Sequence, residues 1–212
     1  LASVEKNYSS DLWNCAYAEF MKADENADWK KEPLYIPDRE AEFWDKTHPL
    51  EQIRWTQEKN SKCNTHYINV VKCLKWWRKE KFPDVKHPKS YPLEHLIGDC
   101  CPDGIESVAE GIVLTLEKIV SDYPEKPVLE DRGVPEHDVF GRLSDEDYEA
   151  FYDDVCDAAV IARKAYDAET VYESASLWRQ LLGNKFPEAK QKEAVFTKRE
   201  AASINLAGGR FA

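Results

Sequence analysis

Between Asn69 and Tyr91 the chain reads NVVKCLKWWRKEKFPDVKHPKSY, a helix-forming run with two adjacent tryptophans among closely spaced lysines and a Ser-Tyr pair at its end. Lys72, Lys75 and Lys79 fall at steps of three and four, which places their ammonium groups on one helix face, opposite Tyr67, Val71 and Leu74. Like charges at that spacing cost stability, so the face is either solvated and paired with acids of the chain or built to hold an anion. Ser90 and Tyr91 add a hydroxyl that can donate to phosphate and a flat ring that can lie on a base. Lysine, hydroxyl and aromatic ring together suit a nucleotide triphosphate. The same residues also fit a plainer role, with Ser90 capping a helix and Tyr91 packed in the core against Trp77.

Other groups invite chemistry less strongly. Cys63 with His66, and His95 with Cys100 and Cys101, suggest zinc, but adjacent cysteines lack the two-residue separation that brings two sulfurs to one tetrahedral ion. Buried thiols are the default expectation for them. Cys63 and His66 also have the types of a nucleophile and its base, although a structural histidine is the simpler reading. Glu136-His137-Asp138 either orients a substrate base or caps the next helix. Asp38 and Arg39 read as an ion-paired corner.

These residues need elements to carry them. LYIPDRE, from Leu34 to Glu40, is a short extended piece ended by Pro37. Thr47 is placed to cap a helix from about Pro49 to Ser61, with Leu50, Ile53 and Gln57 at helical spacing. Tyr67, Val70, Val71, Leu74 and Trp77 mark the core face of a helix between Thr65 and Phe82, closed by Pro83. A second helix runs from about Pro92 to Asp99, CCPDG forms a turn, and Ile105, Val108, Ile112, Leu116, Ile119 and Tyr123 define a third. Residues 123–143 are too long for a simple connector and read as a packed or functional loop. Ser144 with Asp147 opens a helix striped by Tyr148, Phe151, Tyr152, Val155, Ala159, Ala162 and Tyr166, and a last helix from Val171 to Leu182 uses Ala175, Trp178 and Leu182 before Gly183 ends it. Beyond Phe186 the sequence is polar and unpatterned, as disordered tails are.

The fold class that follows is mainly α. The 212 residues carry 29 basic and 40 acidic side chains, and the net charge of −11 opposes strong binding to nucleic-acid backbones. The longest apolar stretch, Ile105 to Val120, is interrupted by three glutamates, so no membrane span is expected. Six cysteines without a disulfide-like spacing point to a reducing cytoplasm. The chain opens on Leu1 and has Met21 as its one methionine, which raises the expectation of a missing N-terminal part.

Six segments in order, YIPDREAEFW, HPLEQIRWTQEKN, HYINVVKCLKWWR, SYPLEHLIGD, GVPEHDVFGRLSDEDY and SASLWRQLLGNKFP, resemble the C-terminal part of bacterial cyclic-oligonucleotide synthases related to cyclic GMP-AMP synthase and oligoadenylate synthase, and most of all their D clade. The resemblance covers roughly Leu34 to Pro187. It implies a helical, oligoadenylate-synthase-like lobe over residues 49–187, a remnant or linker of the nucleotidyltransferase core over 1–48, and a flexible tail over 188–212. It further implies ATP, and GTP as a second candidate, as substrates in antiphage defence. Lys75 matches the family lysine at the triphosphate, and Ser90 and Tyr91 match the pair that binds phosphate and stacks on the donor base. In the family, two Mg²⁺ ions sit on three aspartates of a core that also carries a Gly-Ser loop. Here Gly98 is the first glycine and no Asp-x-Asp lies on an apolar strand, so these catalytic parts, and the ions they hold, are expected elsewhere than in this chain. Several such synthases are joined through their C-terminus to a target by a ubiquitin-like ligase, which makes Ala212 a candidate attachment point. The rival reading is a noncatalytic helical module that senses nucleotide or docks a partner.

Overall fold

A computed structural model describes residues 32–38 and 43–189. Strands β1 (Leu34–Asp38) and β2 (Phe43–Thr47) pair antiparallel, with Leu34 opposite Thr47, Ile36 opposite Asp45 and Pro37 opposite Trp44. The extended piece therefore does not end at Pro37. A two-stranded ribbon leaves each strand one unpaired edge, where a missing N–H costs no ladder bond.

Helix α1 (Pro49–Lys62) follows directly. Thr47, the expected cap, belongs to β2, and His48 takes the role by accepting the Glu51 N–H on Nδ1 at 3.3 Å. The Leu50, Ile53, Gln57 stripe does not face a core: no residue of α1 is buried, and Ile53 is 52% exposed. This helix lies on the outside and packs through Trp55, whose ring meets Tyr67 edge-on at 5.9 Å. Asn64 and Thr65, both at positive φ, then turn the chain into α2 (Tyr67–Lys81). Tyr67, Val70, Val71, Leu74 and Trp77 are all buried on one face of it, as their spacing requires. Each aliphatic side chain so buried contributes ~1.5–3 kcal/mol.

Helix α3 (Ser90–Cys100) starts two residues earlier than expected. Lys89 is its N-cap, so Ser90 is the first helical residue and not the cap, and Pro92 is tolerated in the first turn, where its N–H would have no partner. Helix α4 (Val108–Asp122) is opened by two bonds, Ser107 Oγ accepting from the Glu110 N–H at 3.1 Å and the Glu110 carboxylate accepting from the N–H of Glu106, the residue before the cap, at 2.6 Å. Ile105 lies just before this helix and is buried. Ser144 caps α5 (Asp145–Asp167) through the Asp147 N–H at 3.0 Å, and Thr170 caps α6 (Val171–Leu182). Of the α5 stripe, Tyr148, Phe151, Val155, Ala159 and Ala162 are buried and Tyr152 is half-buried, while Tyr166 at its end is 44% exposed beside Arg163. Gly183 ends α6 at φ +89°, where a Cβ would also stand 2.6 Å from the Glu80 side chain.

Helices α4, α5 and α6 pack in sequence order, and α2 lies against α3, α4 and α6, so the mainly α expectation holds. A bidentate ion pair at 2.7 and 2.6 Å joins Arg163 of α5 to Glu117 of α4. The long loop before α5 is packed, with Leu129, Val134, Phe140 and Leu143 buried. Asp138 does not cap the next helix. Its Oδ1 accepts from the N–H groups of Leu129 and Phe140 at 3.0 and 2.9 Å, which folds the loop back on itself. Among the described residues no helix is long and apolar enough to cross a membrane.

Candidate functional site

The residues singled out by type lie on α2 and at the start of α3, two helices that pack together. Ser90 and Tyr91 occupy the first turn of α3, and Glu94 lies four and three residues on, so the three share one side of that helix. Lys75 of α2 reaches across to the same side and donates to the Glu94 carboxylate. Both partners are partly open, at 30% and 23% side-chain exposure. Lys72 and Lys79 are exposed on the remaining face of α2. The lysine run thus divides: Lys75 points at α3, and its two neighbours point to water. The adjacent tryptophans divide too. Trp77 is in the core with its ring edge-on to Phe82 at 5.7 Å, whereas Trp76 donates its indole N–H to the Leu182 carbonyl at 2.8 Å, tying α2 to the end of α6.

Tyr91 does not pack on Trp77. It is 39% exposed, meets the His95 ring edge-on at 6.1 Å, and donates its hydroxyl to Asp131. Burial first, and the Asp131 carboxylate second, push its phenol up, so it stays a neutral donor. Asp131 is itself fixed: its other oxygen accepts from the Gly133 and Val134 N–H groups at 2.8 and 3.1 Å. Next to it, Arg132 donates to the His95 carbonyl at 3.0 Å and to Asp99 at 2.8 Å, and its guanidinium lies 3.3 Å from the centroid of the Trp55 ring. Burial, then the nearby Arg132 charge, holds the His95 imidazole below its usual value, which favours the neutral ring. Gly98 makes this approach possible, since a Cβ there would stand 2.5 Å from Arg132 and 2.6 Å from Trp55. At Gly133 a Cβ would stand 2.4 Å from the Cβ of His48. The far side of the loop is held by Lys46 to Glu136 at 3.1 Å and Asp45 to His137 at 3.3 Å, so Glu136 and His137 brace the loop against β2.

Chemically, the arrangement offers one cation, one hydroxyl and one tethered ring to a ligand lying over the first turn of α3. Glu94, Asp131 and Arg132 were not singled out in the sequence; their signal is the pairing itself, made across 19 to 40 residues. Among the described residues no three His, Cys, Asp or Glu side chains converge as ligands. Cys63 and Cys101 instead meet at the Pro102 carbonyl, and burial pushes the Cys63 and Cys100 thiols up to about 12. His66 precedes α2 without a side-chain capping bond. Arg39 and Ala212 lie outside the described residues, as does the side chain of Asp38.

No protein-family model matches the chain. Among curated proteins it is 46% identical over 210 residues to a cyclic AMP-AMP-GMP synthase of Enterobacter hormaechei, a match covering 94% of this chain and 54% of that protein. A probable cyclic AMP-AMP-GMP nucleotide synthase of Salmonella paratyphi B is 45% identical, with 88% and 52% covered. A cyclic AMP-AMP-AMP synthase of Acinetobacter is 33% identical, with 80% and 51% covered. The fold is similar to that of CdnC from E. coli MS115-1 with ATP, at a TM-score of 0.62 and 15% identity over 73% of this chain and 56% of that one. CdnC in complex with HORMA-deltaN gives a TM-score of 0.58 at 17% identity, over 68% and 53%. The chain spans about half the length of the curated relatives it matches. With that coverage and identity, the chain belongs to the bacterial nucleotidyltransferase family of cyclic-oligonucleotide synthases.

Proposed function

We propose that this chain is the C-terminal helical lobe of a cytoplasmic cyclic-oligonucleotide synthase of antiphage defence, and that it holds ATP, with GTP as second substrate, for linkage into a cyclic product. The observation that supports the reading is the reach of Lys75 from α2 to Glu94 on α3, the helix whose first turn holds Ser90 and Tyr91. Lys75 takes the triphosphate in exchange for Glu94, Ser90 donates to a phosphate oxygen, and Tyr91 lies on the base with its hydroxyl held by Asp131. The relatives' products, built from AMP and GMP units, fit these two substrates. The Mg²⁺ chemistry then belongs to carboxylates outside the described residues, and the lobe contributes binding and orientation.

Lys75→Ala and Tyr91→Ala in the full-length synthase should each weaken ATP use about tenfold or more while leaving the unfolding midpoint in place. Unchanged turnover in both variants removes the assignment. In the same reading the C-terminal Ala212 is the point at which a companion ubiquitin-like ligase joins the synthase to a target. Mass spectrometry after coexpression with that ligase should find an adduct on Ala212, and an unmodified terminus refutes the conjugation.

A further inference from the structure

The Tyr91 ring is held from outside its own helix. A tyrosine in the first turn of a helix, 39% exposed, would ordinarily sample several staggered rotamers and leave its hydroxyl to water. Here the hydroxyl donates to Asp131, 40 residues away in the chain. The Asp131 carboxylate is spoken for on its other oxygen, which accepts the Gly133 and Val134 N–H groups and leaves Oδ2 for the phenol. Its backbone is fixed as well, since the Asp131 N–H donates to the His137 carbonyl at 2.8 Å. Around it the loop closes into a small ladder: Glu130 bridges antiparallel to Asp138, the Val139 N–H donates to the Leu129 carbonyl at 2.8 Å, and the His137 N–H donates to the Val134 carbonyl at 2.9 Å.

The next residue pins this ladder to two helices. The Arg132 side chain is 7% exposed, bonded to the His95 carbonyl and to Asp99 of α3 and stacked on Trp55 of α1. Asp131 and Arg132 share one backbone, so the anchored guanidinium fixes where the neighbouring carboxylate stands. The second restraint on the Tyr91 ring is His95, whose ring meets it edge-on and is 2% exposed. The phenol is thus held at its hydroxyl and along its ring, while part of the residue stays open to a ligand. Fixing an aromatic side chain before it meets a flat partner removes the ordering cost from binding.

We propose that Asp131 is a positioning residue for nucleotide binding: through the Tyr91 hydroxyl it sets the plane of the ring on which a base lies. This role rests on the function proposed above, which gives Tyr91 a base to meet. The stacking contact is made alike in the bound substrate and in the transition state, so loosening the ring should raise KM and leave kcat in place.

The test is steady-state kinetics of the full-length synthase at varied ATP, with Tyr91→Phe, Asp131→Ala and the double variant. Phenylalanine keeps the ring and removes only the tethered hydroxyl. Tyr91→Phe should raise KM for ATP about threefold to tenfold with kcat within about twofold and an unchanged unfolding midpoint. Asp131→Ala should raise KM at least as far, and the double variant should be no worse than Asp131→Ala alone, because both changes break one bond. Asp131→Asn, which returns an acceptor to the phenol and to the Gly133 and Val134 N–H groups, should recover part of the loss. Three results overturn the role: a wild-type KM in Tyr91→Phe, effects of Tyr91→Phe and Asp131→Ala that multiply in the double variant, or a loss in Asp131→Ala and Asp131→Asn that falls on kcat together with the unfolding midpoint. A wild-type KM in Tyr91→Phe beside lost ATP use in Tyr91→Ala removes the positioning role and leaves the nucleotide reading standing. Kinetics unchanged in Lys75→Ala and Tyr91→Ala remove that reading, and the positioning role with it.

Discussion

Glu94 competes for Lys75 with any phosphate that comes to the first turn of α3, because a carboxylate and a phosphate oxygen call on the same ammonium group. Both partners are partly exposed, so the pair contributes little to stability and its exchange for a phosphate costs little. Replacing Glu94 by Gln removes the competing charge while keeping a hydrogen-bond acceptor. ATP binding to Glu94→Gln should tighten about threefold to tenfold by calorimetry at low salt. A weaker affinity would show instead that the carboxylate is needed to aim the lysine. At this scale the cation, hydroxyl and ring of Lys75, Ser90 and Tyr91 are recognisable by type in the sequence, and the structure sets Lys75 against Glu94 and Tyr91 against Asp131. Glu94 and Asp131 were not. Nothing local distinguishes them from the other carboxylates of an acidic chain, and their meaning appears only when α3 and the long loop are placed against their partners.

Among the helices, legibility followed burial. The stripes of α2, α4 and α5 read correctly because each buries one continuous face and the period survives in the sequence. Helix α1 shows the same period without a buried face, so its spacing found the helix but not a core side, and its cap fell on His48 because β2 had already claimed Thr47. The β1–β2 pairing was invisible for a different reason: five-residue strands give too few alternations to register as a period, and Pro37 argues against a strand unless it sits at an edge. The tie between α4 and α5 makes a pH prediction. Arg163, by hydrogen bond and charge, holds the Glu117 carboxyl below its ordinary 4.5. A carboxyl depressed on folding contributes stability above its unfolded value and loses that contribution as the pH falls through the folded one. The pair is more than a third exposed, so its share is about 0.2–1 kcal/mol. Between pH 6 and pH 3 the urea midpoint of the wild type should therefore fall further than that of Glu117→Gln. Parallel curves would show that the bidentate geometry adds nothing in solution.

The whole molecule is an acidic body with a local excess of lysine and arginine around the start of α3, and it matches about half of each curated relative. Family was legible in the sequence through the order of six segments, none of which suffices alone. Since the described residues gather no acid set for Mg²⁺, this chain incubated with Mg²⁺, ATP and GTP should yield no cyclic product by liquid chromatography and mass spectrometry, whereas a full-length version should. A product from the chain alone would place the metal-binding acids within these 212 residues. The long loop before α5 also has a bearing on which length variants of this protein survive. Asp131, Arg132 and Gly133 each make a contact that only their own position can make: to Tyr91, to Asp99 and Trp55, and to the backbone of His48. Upstream, Pro124, Glu125 and Val128 are exposed. Insertions and deletions in this loop should therefore accumulate between Pro124 and Val128 across natural variants, and a single residue added between Asp131 and Gly133 would put these attachments out of phase with one another.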